Sequence, residues 1–349
     1  MPRFNHEQLL RFSERLLSSS GIPVRDAELV ARLLVKAQLR GYPGHGVARV
    51  LQYLSWIRSG TINIQEKPLL VRAGRTTAVI EANHYLGQVA AHEGIQLAIE
   101  KAKAHGVGIV CLRHAGHVGR LADYVEMAAE QSLIGMAAAS VGSGNTTLYG
   151  GMEGMVGTNP MAFGVPARNG EHILLDFATA ATSMSELQRS AARKEAIAAG
   201  MMLDGYGNAT TDFNAFRGPP RGALLPFGGH KGSGLSMVAE ILGGILSENG
   251  LGRQWRDKGG AAVNGVWLQA LNVEEFQPLD HFFEQVDEFI AFIKASKTAP
   301  GHRQIYMPGE RARQREAQQL KEGIDVDDAT WTQLKALGID LGVDPPALM

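Results

Sequence analysis

His230 and Lys231 lie within Leu225-Pro-Phe-Gly-Gly-His-Lys-Gly-Ser-Gly-Leu-Ser-Met-Val-Ala-Glu240, a glycine-rich turn that opens into an apolar run. Glycines reach positive φ and let backbone N–H groups approach a ligand closely. Lys231 and the amino end of a helix suggested by Leu235, Val238, Ala239, Ile241 and Leu242 add positive potential. The combination suits a phosphate or a carboxylate; the alternative is a tightly packed turn with a solvated lysine. It is not a Walker loop, because Gly232 rather than Ser or Thr follows the lysine.

A second cluster, Arg40-Gly-Tyr-Pro-Gly-His-Gly-Val-Ala-Arg49, places His45 between two glycines and Arg49 four residues on. An exposed imidazole there can exchange a proton with a carbonyl oxygen or hydroxyl, and a guanidinium one helical turn later can clamp a carboxylate at two points. A capping role for His45 and a solvated Arg49 are equally compatible with the string. The third cluster, Arg113-His-Ala-Gly-His-Val-Gly-Arg120, follows an apolar strand. His114, His117 and Arg120 offer acid/base or ligating groups, but zinc recruits three or four ligands at definite spacing and no carboxylate partner is evident, so no metal is expected. Thr158, Asn159, Asp176 and Thr179 fall at strand ends and have the chemistry to hold ribose hydroxyls or a carboxamide.

Positioning these groups requires a mixture of helices and strands. Residues 4 to about 60 carry apolar side chains at helical spacing. From about Leu70, short β-branched runs at 77–80, 108–112, 134–138, 161–165, 173–176 and 266–271 read as strands. Helices are predicted over 84–104, 121–131, 187–199, 235–246 and 282–295, and 310–322 reads as an exposed helix. The expected organisation is α+β. Its charge of −1 and pI near 6.8 give no electrostatic case for nucleic acid or an anionic membrane. Cys111, the single cysteine, excludes an intrachain disulfide. The amino terminus lacks a signal-like apolar region and no run is long enough to span a bilayer, so a cytoplasmic protein is expected.

A doubly wound dinucleotide fold would show Gly-x-Gly-x-x-Gly between a strand and a helix. Its nearest approximation, Gly142-Ser-Gly-Asn-Thr-Thr147, lacks the third glycine, so any dinucleotide requires another architecture.

The chain resembles the type-2 malate/L-lactate dehydrogenase family over nearly its full length. The resemblance rests on Gly44-His-Gly-Val-Ala-Arg49, Gly116-His-Val-Gly-Arg-Leu121, Gly157-Thr-Asn-Pro160, Asp176-Phe-Ala-Thr179, Leu225-Pro-Phe-Gly-Gly-His-Lys-Gly232, and Ala299-Pro-Gly301 with Pro308-Gly-Glu310. It implies hydride transfer between NAD or NADP and a small 2-hydroxy or 2-oxo acid, with a cyclic-imine reductase or a non-catalytic dinucleotide-binding protein as rivals. It also implies a homodimer and a non-Rossmann NAD(P)-binding mixed-sheet domain over 71–304. A helical domain over 1–70 would be completed by 305–349.

By the same resemblance His45 is the proton donor, His117 a second catalytic histidine, and Arg49, Tyr53 and Thr158 contact a small carboxylate substrate. Arg120, Asn159, Asp176, Phe177, Ala178, Thr179, Glu186, His230, Lys231, Pro308, Gly309 and Glu310 are expected at the cofactor. Three positions depart from the pattern. Gly44 stands where the family usually has a serine, so no hydroxyl is expected to orient His45; Ala180 and Glu186 replace a Ser and a Lys or Asp.

Overall fold

The computed structural model of the chain describes residues 2–260 and 262–349. After the short strand β1 (Arg3–Phe4), the chain forms α1 (His6–Ser18), α2 (Val24–Leu39) and α3 (Arg49–Arg58). Asn5 opens α1 by accepting hydrogen bonds from the backbone N–H of Glu7 and Gln8, which satisfies two donors that a helix start leaves without partners. Leu9, Phe12, Leu16 and Leu17 then face Val30, Ala31 and Leu34 of α2 and Val50, Tyr53 and Leu54 of α3.

The middle of the chain alternates strands and helices: β2 (Leu69–Ala73), β3 (Thr77–Glu81), α4 (Gly87–His105), β4 (Val107–Ala115), α5 (Ala122–Ala129), β5 (Leu133–Val141), β6 (Met161–Val165), β7 (Ile173–Phe177) and α6 (Met184–Ala192). Next come β8 (Met202–Leu203), β9 (Ala209–Thr210), α7 (Phe213–Arg217) and β10 (Ala223–Leu224), whose strands form a small sheet. The chain continues through α8 (His230–Glu240), α9 (Gly252–Asp257), β11 (Asn264–Asn272) and α10 (Leu279–Lys294). It ends with α11 (Glu310–Glu322), β12 (Ile324–Asp325) and α12 (Asp328–Asp340).

Seven strands make one mixed sheet in the order β2-β3-β4-β11-β5-β6-β7, in which β3 and β4 run parallel and the other neighbouring pairs antiparallel. Successive side chains of a strand point to opposite faces. Val266, Leu268 and Ala270 of central β11 therefore pack among Ile95, Ala98, Val125 and Ala128 of α4 and α5. Trp267, on the other face, packs with Ala138, Met161 and Ala239 of α8. The chain ends meet: β1 pairs antiparallel with β12, and Ile324, Leu334, Leu337 and Val343 join the core of α1 to α3.

Several boundaries differ from the sequence expectation. α8 starts at His230, not Leu235, so His230 and Lys231 occupy its first turn rather than the loop. The five residues at its start include two glycines, which disfavour a helix, but tertiary pairing overrides propensity. Phe227 N donates to Thr179 O and Ala181 N to Leu225 O, fixing the chain just before the turn. α6 stops at Ala192, short of 199, and α4 begins at Gly87, not 84. β2 gave no alternation because all five of its residues are exposed. The two-residue strands β8 to β10 and the weakly patterned α12 were also missed, being too short or too sparsely apolar to show a period.

Candidate active site

Between α2 and α3 the chain makes a single 3-10 turn at Pro43–His45, and Arg49 starts α3. Its Nε donates to Gly44 O at 2.6 Å and another of its donors reaches Gln52 Oε1, so the guanidinium folds back over the turn bearing His45. His117 lies in the loop after β4, which Gly116 N→Tyr85 O and Val118 N→Asn264 Oδ1 hold in place. That loop also runs against the start of α4: a Cβ on Gly87 would stand 2.7 Å from the carbonyl carbon of His117, which only glycine permits.

These segments bring His45 and His117 together, rings stacked with centroids 5.5 Å apart and planes 12° from parallel. Tyr53 Oη lies 2.7 Å from His117 Nδ1, and Gly119 N also approaches Nδ1 at 3.3 Å. A backbone N–H can only donate, and the buried Tyr53 hydroxyl is held protonated because burial pushes its pKa up. Nδ1 is thus an acceptor and His117 carries its proton on Nε2.

The electrostatics are dominated by burial and positive charge. Burial, then the charges of Arg49 and Arg120, push His45 down to about 3, and burial with Arg49 and His45 holds His117 well below its ordinary value. Both rings are therefore neutral near pH 7. Arg49 pairs with no carboxylate among the described residues. Arg120 pairs with Asp123 and lies over the Tyr42 ring at 5.0 Å, while its Nε is buried without a partner. Asp176 accepts from Ala122 N at 2.8 Å; burial above all raises its carboxyl to about 6. His45 is not the well-exposed group the glycine-flanked string suggested: the residue is only partly accessible, and its Nδ1 is enclosed with no hydrogen-bond partner.

The remaining expected positions divide by how free their groups are. Phe177 and Ala178, with Leu175, Phe227 and residues 180–183, line a cavity of about 600 Å³. Phe177 and Phe227 meet edge to face at 5.6 Å. Asn159 is fully buried, its amide donating to Glu240 at 2.6 Å and accepting from Val141 N at 3.1 Å, so its carboxamide braces the sheet and is not offered to a ligand. Thr179 Oγ1 is likewise committed, donating to the carbonyls of Thr158 and Asn159. Thr158 itself is only partly covered. His230 and Lys231 are exposed, His230 against Tyr149 at 6.0 Å. Glu186 pairs with Arg189. Pro308 O accepts from Leu174 N, seating the late loop against β7, and Glu310 is engaged by Lys294 and Met307 N.

A buried ion cluster braces the site from behind. Arg40 forms a two-point pair with Glu126 at 2.6 and 2.9 Å and reaches Glu316 of α11 through Nε at 2.7 Å, while Lys36 also meets Glu126. It ties α2, α5 and α11 beside Arg120 and Asp123. No motif flagged it; nor did any flag Tyr42, Gln52, Asp123 or Ser185. Arg49–Gln52 and Arg120–Asp123 had a signal in their i,i+3 spacing, whereas Ser185, which abuts Gly44, had none.

Comparison with known proteins agrees with this chemistry. The profile of the malate/L-lactate dehydrogenase family matches residues 4–335. A malate/(S)-sulfolactate dehydrogenase of Methanothermus fervidus is 34% identical over 333 residues, 95% of each chain. The crystal structure of malate dehydrogenase from Entamoeba histolytica superposes with a TM-score of 0.94 at 28% identity, covering 99% of both chains. The Δ1-piperideine-2-carboxylate reductase of Pseudomonas syringae gives 0.84 at 28% identity, covering 97% of this chain and 100% of the other. The chain belongs to the malate/L-lactate dehydrogenase family of oxidoreductases.

Proposed function

We propose that the chain interconverts a small 2-oxo acid and its 2-hydroxy acid with NAD or NADP, the site lying where His45, Arg49, Tyr53, His117 and Arg120 converge. The observation that carries this reading is Arg49: a guanidinium mostly withdrawn from water, without a carboxylate partner among the described residues, beside two neutral imidazoles. A buried cation without an anion is costly, and a substrate carboxylate is the anion that relieves it.

The residues present fit a nicotinamide cofactor. An apolar cavity of about 600 Å³ is within the range of small-molecule sites, and the orphaned Arg120 Nε and the exposed Lys231 are positive groups available to it. Phe177, Ala178 and Phe227 would flank a ring, and Lys231 with the first turn of α8 would take phosphate. NADH or NADPH, when bound, supplies the hydride for carbon 2 of the oxo acid. Arg49 holds the carboxylate and so aligns that carbon. Anion binding also cancels the repulsion that Arg49 exerts on a protonated His45. The ring then takes up a proton and delivers it to the nascent alkoxide. His117, locked by Tyr53, presents Nε2–H to the same oxygen or its neighbour.

The same reading assigns the dinucleotide to a mixed, non-Rossmann sheet and separates a helical domain (1–70 with 305–349) from a catalytic one (71–304). Two apolar cores support that division, with Tyr85, Leu86 and Val89 of the second unit reaching into the first core. It also makes the chain a cytoplasmic homodimer. In support of the dimer, α10 has no buried residue although Phe289 and Phe292 lie on it. Cyclic-imine reduction is the second reading, favoured by the likeness to the Pseudomonas syringae reductase. Steady-state assays of pyruvate, oxaloacetate and piperideine-2-carboxylate, each with NADH and NADPH, separate the readings. Cofactor binding without turnover of any of them would refute both.

A further inference from the structure

Gly44 departs from the family's usual serine, yet a hydroxyl stands beside it. A Cβ built on Gly44 would lie 2.8 Å from Ser185 Oγ and 3.6 Å from Ser185 Cβ. A side chain at residue 44 would therefore require the Ser185 hydroxyl to turn away. Ser185 belongs to the first turn of α6, and its Oγ pairs at 3.0 Å with that of Ser183, the N-cap, which accepts from Glu186 N at 3.1 Å. The small cap-and-serine network is anchored on the helix backbone and faces the turn that carries His45. No hydroxyl among the described residues bonds to His45, whose Nδ1 is without a partner; Ser185 carries the hydroxyl that stands beside the preceding residue.

We propose that Ser185 is a positioning residue for His45, supplying from α6 the hydroxyl that the family's serine supplies from within the turn. This rests on the reading of His45 as the proton donor. Of the ring's two nitrogens, Nδ1 is the one enclosed without a partner. When His45 is charged and delivers a proton from Nε2, Nδ1–H needs an acceptor, and a serine oxygen is one. Ser183 can turn its own proton toward Ser185 Oγ, whose remaining lone pair then serves Nδ1. The other groups facing the ring do not accept there: Arg49 and Arg120 repel a charged His45, and His117 has Nδ1 occupied by Tyr53 and Gly119. On α6, Glu186 and Arg189 pair with each other.

The test is a mutant cycle of S185A, G44S and G44S/S185A, measured as kcat, KM and the pH profile of kcat in the reductive direction, with NADH or NADPH binding followed by fluorescence. Loss of one hydrogen bond from a charged ring corresponds to about a 10- to 100-fold effect. S185A should lower kcat by that factor with KM and nucleotide binding unchanged, and move the basic limb of the profile to lower pH, because an acceptor for the charged ring is gone. G44S alone should also be impaired, since the two side chains collide. The double variant should recover to within about threefold of the parent, with its pH limb restored. An S185A enzyme with unaltered kcat and pH profile, or a double variant no better than G44S, would overturn the role of Ser185. If G44S does not accumulate as folded protein, the S185A profile decides alone. Retention of full activity by H45Q would instead remove the underlying reading, so the two failures are told apart.

Discussion

Replacing Arg49 tests the site most sharply, because the proposed mechanism gives its side chain two duties with opposite consequences. Its unpaired guanidinium is positioned for a carboxylate, and its charge helps hold His45 near about 3. Two charge-assisted hydrogen bonds are worth about 1.5–3 kcal/mol each, so Arg49→Met should lose about 3–6 kcal/mol, a 10²- to 10⁴-fold fall in kcat/KM. Removing the positive neighbour has a second effect: His45 becomes easier to protonate in the free enzyme, and its limb in the kcat/KM profile moves to higher pH. Arg49→Lys keeps the charge but loses both the planar fork and the Nε bond to Gly44 O. It should raise KM while leaving that limb near its parental position. The assay is a pH series of initial rates for all three proteins, alongside fluorescence titration with the reduced nucleotide. Equal weakening of nucleotide and substrate, or identical pH profiles for the Met and Lys variants, would refute the reasoning.

Other expectations follow from the same geometry. His45→Gln should cut turnover by about 10²–10⁴-fold with nucleotide binding nearly unchanged, measured by single-turnover kinetics. Glu126→Gln removes the acid of a two-point buried pair, leaving Arg40 undercompensated; urea unfolding should show a loss of about 3–5 kcal/mol, and a loss below 1 kcal/mol would contradict the bracing role. His45 and His117 resist protonation when folded, so the unfolded chain binds more protons below its ordinary histidine value of about 6.5. Stability should therefore be complete above that pH and fall as pH drops below it, by up to about 1.4 kcal/mol per pH unit for each ring. Melts between pH 7.5 and 5 should show a shallower decline for H45Q/H117Q than for the parent; parallel curves would count against two neutral buried rings.

Much of the secondary structure was legible because period and punctuation are local properties. The alternation in Val266-Trp-Leu-Gln-Ala-Leu271 marked a strand, and the sheet uses both of its faces. The helix at 310–322 was read from composition and stands as α11. What failed lacked a local signal: an edge strand exposed on every residue, two-residue strands, and a helix start whose Gly229 and His230 are set by pairing with Thr179–Ala181. The roles suggested for Asn159 and Thr179 show a further limit. Their residue types suited a ligand, but burial had already committed both side chains to the backbone and to Glu240.

The sequence alone determined the chemical inventory, an imidazole and a guanidinium one turn apart, a second imidazole after a strand and a glycine turn with a lysine, and their order along the chain identified the family. Only the tertiary structure decided that His45 and His117 stack, that Tyr53 fixes the tautomer of a residue 64 positions away, and that Arg40 finds Glu126 across 86. It alone put Ser185 against Gly44. The reason is physical: helix and strand periods constrain neighbours within a few residues. Proton affinity and orientation depend on burial and on partners brought together by sheet register and helix packing, which no local pattern records.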